Sequence, residues 1–458
     1  MNIISKQLAG VLMVGGLVLI LALNLFLIQP ISFSLILIGV LLLTVVFLYN
    51  PAWGIFLFLL ARPALDSFSE TASIRLTEQI SLNAAAGMGL LAIFLAGVFF
   101  VKNYSQIKRI PLKKFWFFYL AVVAVSIIFS IEKIISFYEL LRLLSILSVF
   151  SLAFAVSRIE KSFRTIFYAV LASAIIPLSA GFYQFLTQSG ISRTVGLESR
   201  IFGTFSHPNS FAAFLLIIFA LSLYFFFYYQ NNKEKNEQEK NKYVQYSLIA
   251  LFIFFLLLAT FSRGAWLALL IFGLILGILK KPQILAYIAV GILVAIIAFE
   301  PIRDRVEDLY NPPITGSVYW RLEQWTNMYA LFQERPFTGY GAGTETLVHE
   351  RAFGFYAGNP YTHNDFLKNA LEVGIFGAIS YGLLLLAVIW KLFFNFKNTA
   401  KKNTKTLFLV LLALFAAEIA FGMSSNILRS TAVQWPLWAL IGSALAIPLI
   451  ESKKTKDK

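Results

Sequence analysis

The chain has 458 residues, 59% of them hydrophobic and only 13% charged, with 46 phenylalanines and a formal net charge of +15. Its mean hydropathy is +0.77; a soluble globule could not hide that much apolar surface, so the class is a polytopic helical membrane protein. The absence of cysteine removes disulfides, thiolate nucleophiles and Cys-ligated metals.

Taken in order, the apolar runs predict spans over Leu8–Ile28, Ile31–Leu48, a short Trp53–Ala61, Ala84–Val101, Phe115–Ile131, Leu141–Val156 and Thr165–Phe185. They continue with Phe211–Tyr229, Val244–Phe261, Gly264–Leu279, Ile284–Phe299, Ala370–Trp390, Leu407–Phe421 and Trp435–Ile450. Runs such as Val11–Ile28 are apolar all round rather than alternating, which selects helices over barrel strands. The expected fold is therefore all-α, with about 12–14 transmembrane helices and one long loop between the spans near 299 and 370. The first run lacks a small-residue cleavage site and is followed at once by another span, so it reads as retained.

Lys and Arg gather in the loops Lys102–Lys114, Ser157–Arg164, Asn231–Lys242, Lys280–Lys281 and Lys391–Lys405 and in the tail. These fall on one side if each intervening pair of spans is a hairpin, and a basic side is cytoplasmic. The charge thus orients a membrane protein, and no nucleic-acid partner is expected. Both termini are expected inside and Glu300–Asn369 outside; that loop holds nine acids against six Lys or Arg. The chain divides into N-terminal helices (1–199), helices with external motif segments (200–299), the external loop (300–369) and C-terminal helices with a basic tail (370–458). Ser189–Ser210, Thr260–Trp266 and Gly422–Trp435 are placed outside as well, where they can line one vestibule with the loop.

Within the loop, Tyr319–Arg335 has apolar residues at Trp325, Met328, Tyr329 and Phe332, a helical spacing that suggests an amphipathic helix at the membrane surface. Arg321 lies one turn from Trp325. Pro336–Gly343 (PFTGYGAG) then reads as a tight turn, since no βαβ context supports a dinucleotide site.

Charges at span ends are functional suspects because burying them is costly. Arg263 lies between two spans separated by almost nothing, where it would either meet a lipid phosphate or snorkel to headgroups. The chain has three histidines. His363 precedes a span and neighbours Asn364, which could orient its ring; a general base and a capping or interfacial residue are the two readings. His207, in SHPNS, reads as a helix start, and His349 as a solvated loop residue. No metal-ligand pattern is present, and a lipid diphosphate leaving group can be held by arginines instead.

Four stretches now assemble: Arg200–Ala212 (RIFGTFSHPNSFA), Phe261–Trp266 (FSRGAW), Arg321–Gly343 and His363–Gly377 (HNDFLKNALEVGIFG), the last with His363, Asn364, Gly374 and Gly377 in a His-polar…Gly-x-x-Gly pattern. In this order they resemble the O-antigen ligase and polymerase-like membrane proteins, over roughly Arg200–Ile450. The resemblance implies a metal-independent, cofactor-free, inverting transfer of a glycan from undecaprenyl diphosphate to a lipid A core or another glycan. It places that reaction on the outer face of the bacterial cytoplasmic (inner) membrane, among membrane lipids. It maps leaving-group neutralisation onto Arg263 and Arg321 and the base onto His363, with Arg200 a further diphosphate contact and Asn364, Gly374 and Gly377 substrate-binding. A ligase ranks first, a polymerase second and protein O-glycosylation third; a transporter with an external gate is the alternative from another class.

Overall fold

A computed structural model describes residues 31–66, 73–75, 81–191, 199–232, 236–298, 317–354 and 361–456, with Gly16, Arg303 and Glu307 as isolated positions. The predicted span Leu8–Ile28 and residues 308–316 of the loop lie outside the described residues. The elements are α1 (Ile31–Tyr49), α2 (Pro51–Ala64), β1 (Ser73–Arg75), β2 (Ser81–Asn83), α3 (Ala84–Lys102), α4 (Tyr104–Ile107), α5 (Lys113–Ser126) and α6 (Lys133–Glu160). Then come α7 (Phe163–Ala172), α8 (Ile175–Thr187), α9 (Pro208–Gln230), α10 (Glu237–Ala259), α11 (Arg263–Leu279) and α12 (Gln283–Ala298). The chain continues through α13 (Ser317–Glu334), α14 (Glu345–Phe353), α15 (Asp365–Asn398), α16 (Lys402–Gly422) and α17 (Thr431–Lys456). The strands are a three-residue antiparallel pair, so the fold is the expected all-α one.

Eight stretches among the described residues are long and apolar enough to cross a bilayer, and this is a multi-pass membrane protein. The predicted short piece after Pro51 is a 14-residue helix, started by Asn50, whose side chain accepts from Trp53 N, and by proline at the first helical position. The predicted span Thr165–Phe185 is two helices, α7 and α8, parted at Ser173–Ala174.

The buried centre is formed by α6, α9, α16 and α17. Helices α6 and α17 approach so closely at Gly442 that a Cβ there would lie 2.5 Å from Phe150 O. Nearby, Ser157 Oγ and Ser443 Oγ are 2.9 Å apart and Phe150 meets Trp438 edge-on at 5.6 Å. Small residues at such crossings let backbones pack where lipid offers no hydrophobic drive. The basic loops collect at one end of the bundle: Arg158 bonds Gln106, Arg164 bonds Tyr228, Asn231 bonds Asn403 and Lys401 pairs with Glu451. The polar stretches lie at the other end.

That second end is organised by a break in α15. At Gly374 (φ 73°, ψ −173°) the helix is interrupted, so it is two helical segments, residues 365–373 and 375–398. A break inside an apolar helix exposes backbone groups that must be satisfied. The PFTGYGAG turn does this: Tyr340 N and Gly341 N donate to the carbonyls of Leu371 and Glu372, and Ile375 N donates to Pro336 O. Gly339, Gly341 and Gly343 all have positive φ, and Tyr340 O accepts from Ile131 N of the α5–α6 link. The turn is thus filled by its own protein rather than open as a phosphate cradle.

Helix α13 covers the same junction. The stripe expected to face lipid was Trp325, Met328, Tyr329 and Phe332. The buried face is instead Gln324, Met328 and Leu331, packed with Tyr340, Val348 and Leu371, while Tyr329 is 54% exposed. The stripe is rotated because the helix packs on the first segment of α15.

Gly374→Ala is expected to lower stability by at least about 1–3 kcal/mol from backbone strain alone, because its φ is positive and a Cβ would lie 2.3 Å from Phe337 O. Gly382→Ala, in the same helix with nothing within 4 Å of its Cβ, should be neutral or slightly stabilising. Thermal unfolding in detergent checks the pair; equal shifts would contradict the role given to Gly374.

Candidate functional site

Two asparagines join the polar stretches at this end. Asn209 Oδ1 accepts from Arg200 Nη2 and from Ser262 Oγ, both at 3.0 Å, while its Nδ2 donates to Ser425 Oγ at 3.0 Å. Arg200 also donates through Nε to Thr260 O at 2.8 Å. Asn426, the next residue after Ser425, accepts at Oδ1 from Asn364 N (3.0 Å) and Thr362 Oγ1 (3.2 Å), and its Nδ2 donates to Glu345 Oε1 (3.0 Å). The turn after α16 therefore clamps the α8–α9 and α10–α11 connections on one side and the end of the long loop on the other. Such networks in low dielectric hold their members rigidly when every partner is satisfied.

His363 stands at the meeting point. Its φ of 48° is left-handed, an uncommon conformation for a residue with a side chain and one often found at functional turns. Its ring lies 5.4 Å from that of Trp320, edge-on at 72°, and 6.3 Å from that of His207. Burial, with the nearby charge of Arg321 and the neighbouring His207, pushes the His363 pKa down to about 3. Burial, Arg200 and Arg321 push His207 down to about 4. Both imidazoles are consequently neutral at pH 7. His207 Nδ1 accepts from Asn209 N at 3.0 Å, which leaves its proton on Nε2.

Arg321 sits on α13 one turn before Trp325, whose Nε1 donates to Thr362 O at 2.8 Å and docks the helix on the residue before His363. Arg263 is the first residue of α11, after Phe261, another non-glycine residue at left-handed φ (47°). It is flanked by Ser262, which bonds Asn209, and Gly264, where a Cβ would lie 2.5 Å from Ser424 Oγ. Both neighbours of Arg263 are thus held against the 424–425 turn.

Arg200, Arg321 and His363 are brought together around His207, and Arg263 is anchored to the same junction through its neighbours. Asn364 serves the backbone: its Oδ1 caps α15, accepting from Phe366 N and Leu367 N, rather than orienting the His363 ring. Gly374 sits against the backbone of Pro336 and Phe337, and Gly377 against Val373 and Asn369 O, so both belong to the helix-break packing. His349, expected in solvent, is only 1% exposed, with its ring 5.3 Å from Phe353; α14 turns it inward.

Sequence reasoning passed over His207 as a site residue because its helix-start reading is also correct: it is the N-cap of α9. Asn209, Asn426 and Glu345 had no signal beyond lying in polar stretches, and Trp320 none. Among the described residues no group of three His, Asp or Glu side chains could hold a metal ion.

Neutral histidines make stability pH-dependent. The unfolded chain takes up protons near pH 6.5 whereas the folded site takes them up only near 3–4, so this contribution is present above about 6.5 and is lost as pH falls. The wild-type melting temperature should fall between pH 7 and pH 5, and a His207→Gln/His363→Asn double variant should show a shallower fall. An unchanged slope would place the proton uptake elsewhere.

Residues 248–382 match a family model described as O-antigen ligase. No curated protein matches the chain. The matched stretch contains Arg263, Arg321 and His363, and it makes this membrane protein O-antigen ligase-like.

Proposed function

We propose that this O-antigen ligase-like membrane protein transfers a glycan from a polyprenyl diphosphate, of the undecaprenyl type, to a hydroxyl of a saccharide acceptor, with inversion at the anomeric carbon. The acceptor oxygen forms a bond to C1 as the C1–O bond to the diphosphate breaks. The hydroxyl proton passes to the imidazole of His363, and the electron pair leaves with the lipid diphosphate. Arg263 and Arg321 meet the charge that grows on that leaving group, with Arg200 behind them.

The observation that carries this reading is the neutral His363 imidazole held at a strained turn inside the field of Arg321. Burial and the neighbouring cation keep the imidazole unprotonated in the free site and also weaken it as a base, a cost that the donor's diphosphate offsets in part when it neutralises Arg321. The same cation is what a departing diphosphate needs, so one arrangement serves both halves of the reaction. The basic end of the bundle is assigned to the cytoplasm by the positive-inside rule, which sets His363 on the outer side of the bacterial inner membrane with both termini inside. A ligase places the glycan on a lipid A core, whereas a polymerase places it on a second lipid-linked glycan; a protein acceptor ranks third.

Purified protein, a glycan on undecaprenyl diphosphate and either acceptor, assayed with EDTA, tests the reading. Transfer to the core identifies a ligase, and a ladder of longer lipid-linked chains a polymerase. Arg263→Ala and Arg321→Ala are expected to lower the initial rate by about 10²–10³ each. His363→Asn, which tolerates the left-handed backbone, should lower it by about 10²–10⁴. Full activity in all three variants would overturn the assignment. With wild type, kcat/KM should stay level from pH 8 down to about pH 5, because the free base titrates well below the usual histidine range.

A further inference from the structure

Behind the Thr362–His363 segment lies a cavity of about 470 Å³ at the same end of the bundle. Its wall carries Arg62, Arg142, Lys368 and Arg429 together with Glu139 and Glu345. Arg62 and Lys368 are 4% and 3% exposed, and Arg429 stands exposed at the mouth. Ionisable groups buried in a membrane bundle are costly and mark binding or transport paths more often than scaffolding.

The wall's donors and acceptors are unequal. Glu345 is largely occupied: Oε2 accepts from Thr362 N (3.2 Å) and Thr362 Oγ1 (2.6 Å), and Oε1 from Asn426 Nδ2. Glu139 accepts from Arg142 Nε (2.8 Å), Arg142 Nη2 (2.6 Å) and Lys368 Nζ (3.3 Å). The cations keep capacity. Arg62 donates Nε to Thr431 Oγ1 and Nη1 to Asp66, and Arg142 donates only one bond beyond Glu139, to Leu428 O; a guanidinium has five N–H donors. Arg429 lies 3.9 Å over the Tyr361 ring. With Asp66 and Glu372 behind the wall the formal charges cancel, but on the wall itself the unused N–H donors outnumber the unused carboxylate lone pairs. A ligand that fits must bring acceptors, and charged ones bind such donors most strongly.

The cavity communicates with the reacting site through very few atoms. Glu345 holds Thr362, the residue before His363, and Arg429 covers Tyr361, the residue before that. We propose that this cavity is the acceptor's site and that it takes a saccharide bearing an acidic group, a carboxylate or a phosphate, which bonds Arg429 at the mouth and the buried cations within. This rests on the reading of the protein as a glycosyltransferase. The donor diphosphate meets Arg321 beside His363 and the acceptor's acidic group is held in the cavity, so that the acceptor hydroxyl reaches C1 next to the imidazole that takes its proton.

Binding is measured apart from transfer, by calorimetry on the purified full-length protein in detergent, with glucuronate, glucose 6-phosphate, glucose and inorganic phosphate as probes. At least one acidic sugar should bind, glucose at least tenfold more weakly, and Arg429→Ala should weaken the acidic sugar by about tenfold or more. Arg429 is exposed, so its replacement leaves the fold intact; Arg429→Lys should recover part of the loss. Equal binding of glucose and the acidic sugars, or indifference to Arg429→Ala, overturns the proposal, and inorganic phosphate binding as tightly as glucose 6-phosphate overturns the saccharide part of it. Acidic-sugar binding that depends on Arg429, in a protein that transfers no glycan, would keep the cavity and sink the transferase reading instead.

Discussion

The arrangement depends on one requirement: a helix interrupted inside an apolar bundle must find partners for the backbone groups it frees. At Gly374 those partners come from the long loop, whose glycine turn donates to Leu371 O and Glu372 O and accepts at Pro336 O. The loop is therefore a structural part of α15 rather than an appendage over it. Everything on the nine-residue segment before the break, from the Asn364 cap to Lys368 and Glu372, takes its position from that union. His363 enters this segment and so inherits a fixed orientation relative to α13 and Arg321.

A tension runs through the site itself. Positive charge is concentrated where two imidazoles are buried, which lowers the affinity of both for a proton. Such an arrangement stabilises nothing by itself: burial and neighbouring positive charge both raise the cost of protonating the rings. The left-handed turns at Phe261 and His363 carry a similar cost in backbone form. The hydrogen bonds that Asn209 and Asn426 make, together with those of Arg200 and Glu345, bind the segments together and offset these costs.

The membrane class, most of the spans and the clustering of basic loops at one end were legible from composition, because a bilayer imposes length and hydropathy on every crossing helix. His363 and Arg321 stood out as candidates because ionisable residues at span ends are rare and costly. The orientation of α13 was not: its apolar stripe could serve lipid or protein, and only packing on α15 chose Met328 and Leu331 over Tyr329. Burial of His349 was invisible for the same reason. The Gly-x-x-Gly spacing of Gly374 and Gly377 was visible, but a sequence pattern does not distinguish a glycine near a substrate from one beside a carbonyl of its own chain. Asn209 and Asn426 were lost among other polar residues, since a hydrogen-bond hub is defined by what surrounds it in space.

The break in α15 has a mechanical consequence. The amides of Tyr340, Gly341 and Ile375 are shared between loop and helix, so neither can open without the other, and the two form one cooperative unit. A segment that looks like a peripheral loop along the chain would exchange its protected hydrogens with solvent at the pace of a membrane helix. Thermal motion would reach His363 through the concerted opening of that unit rather than through fluctuations of a free loop.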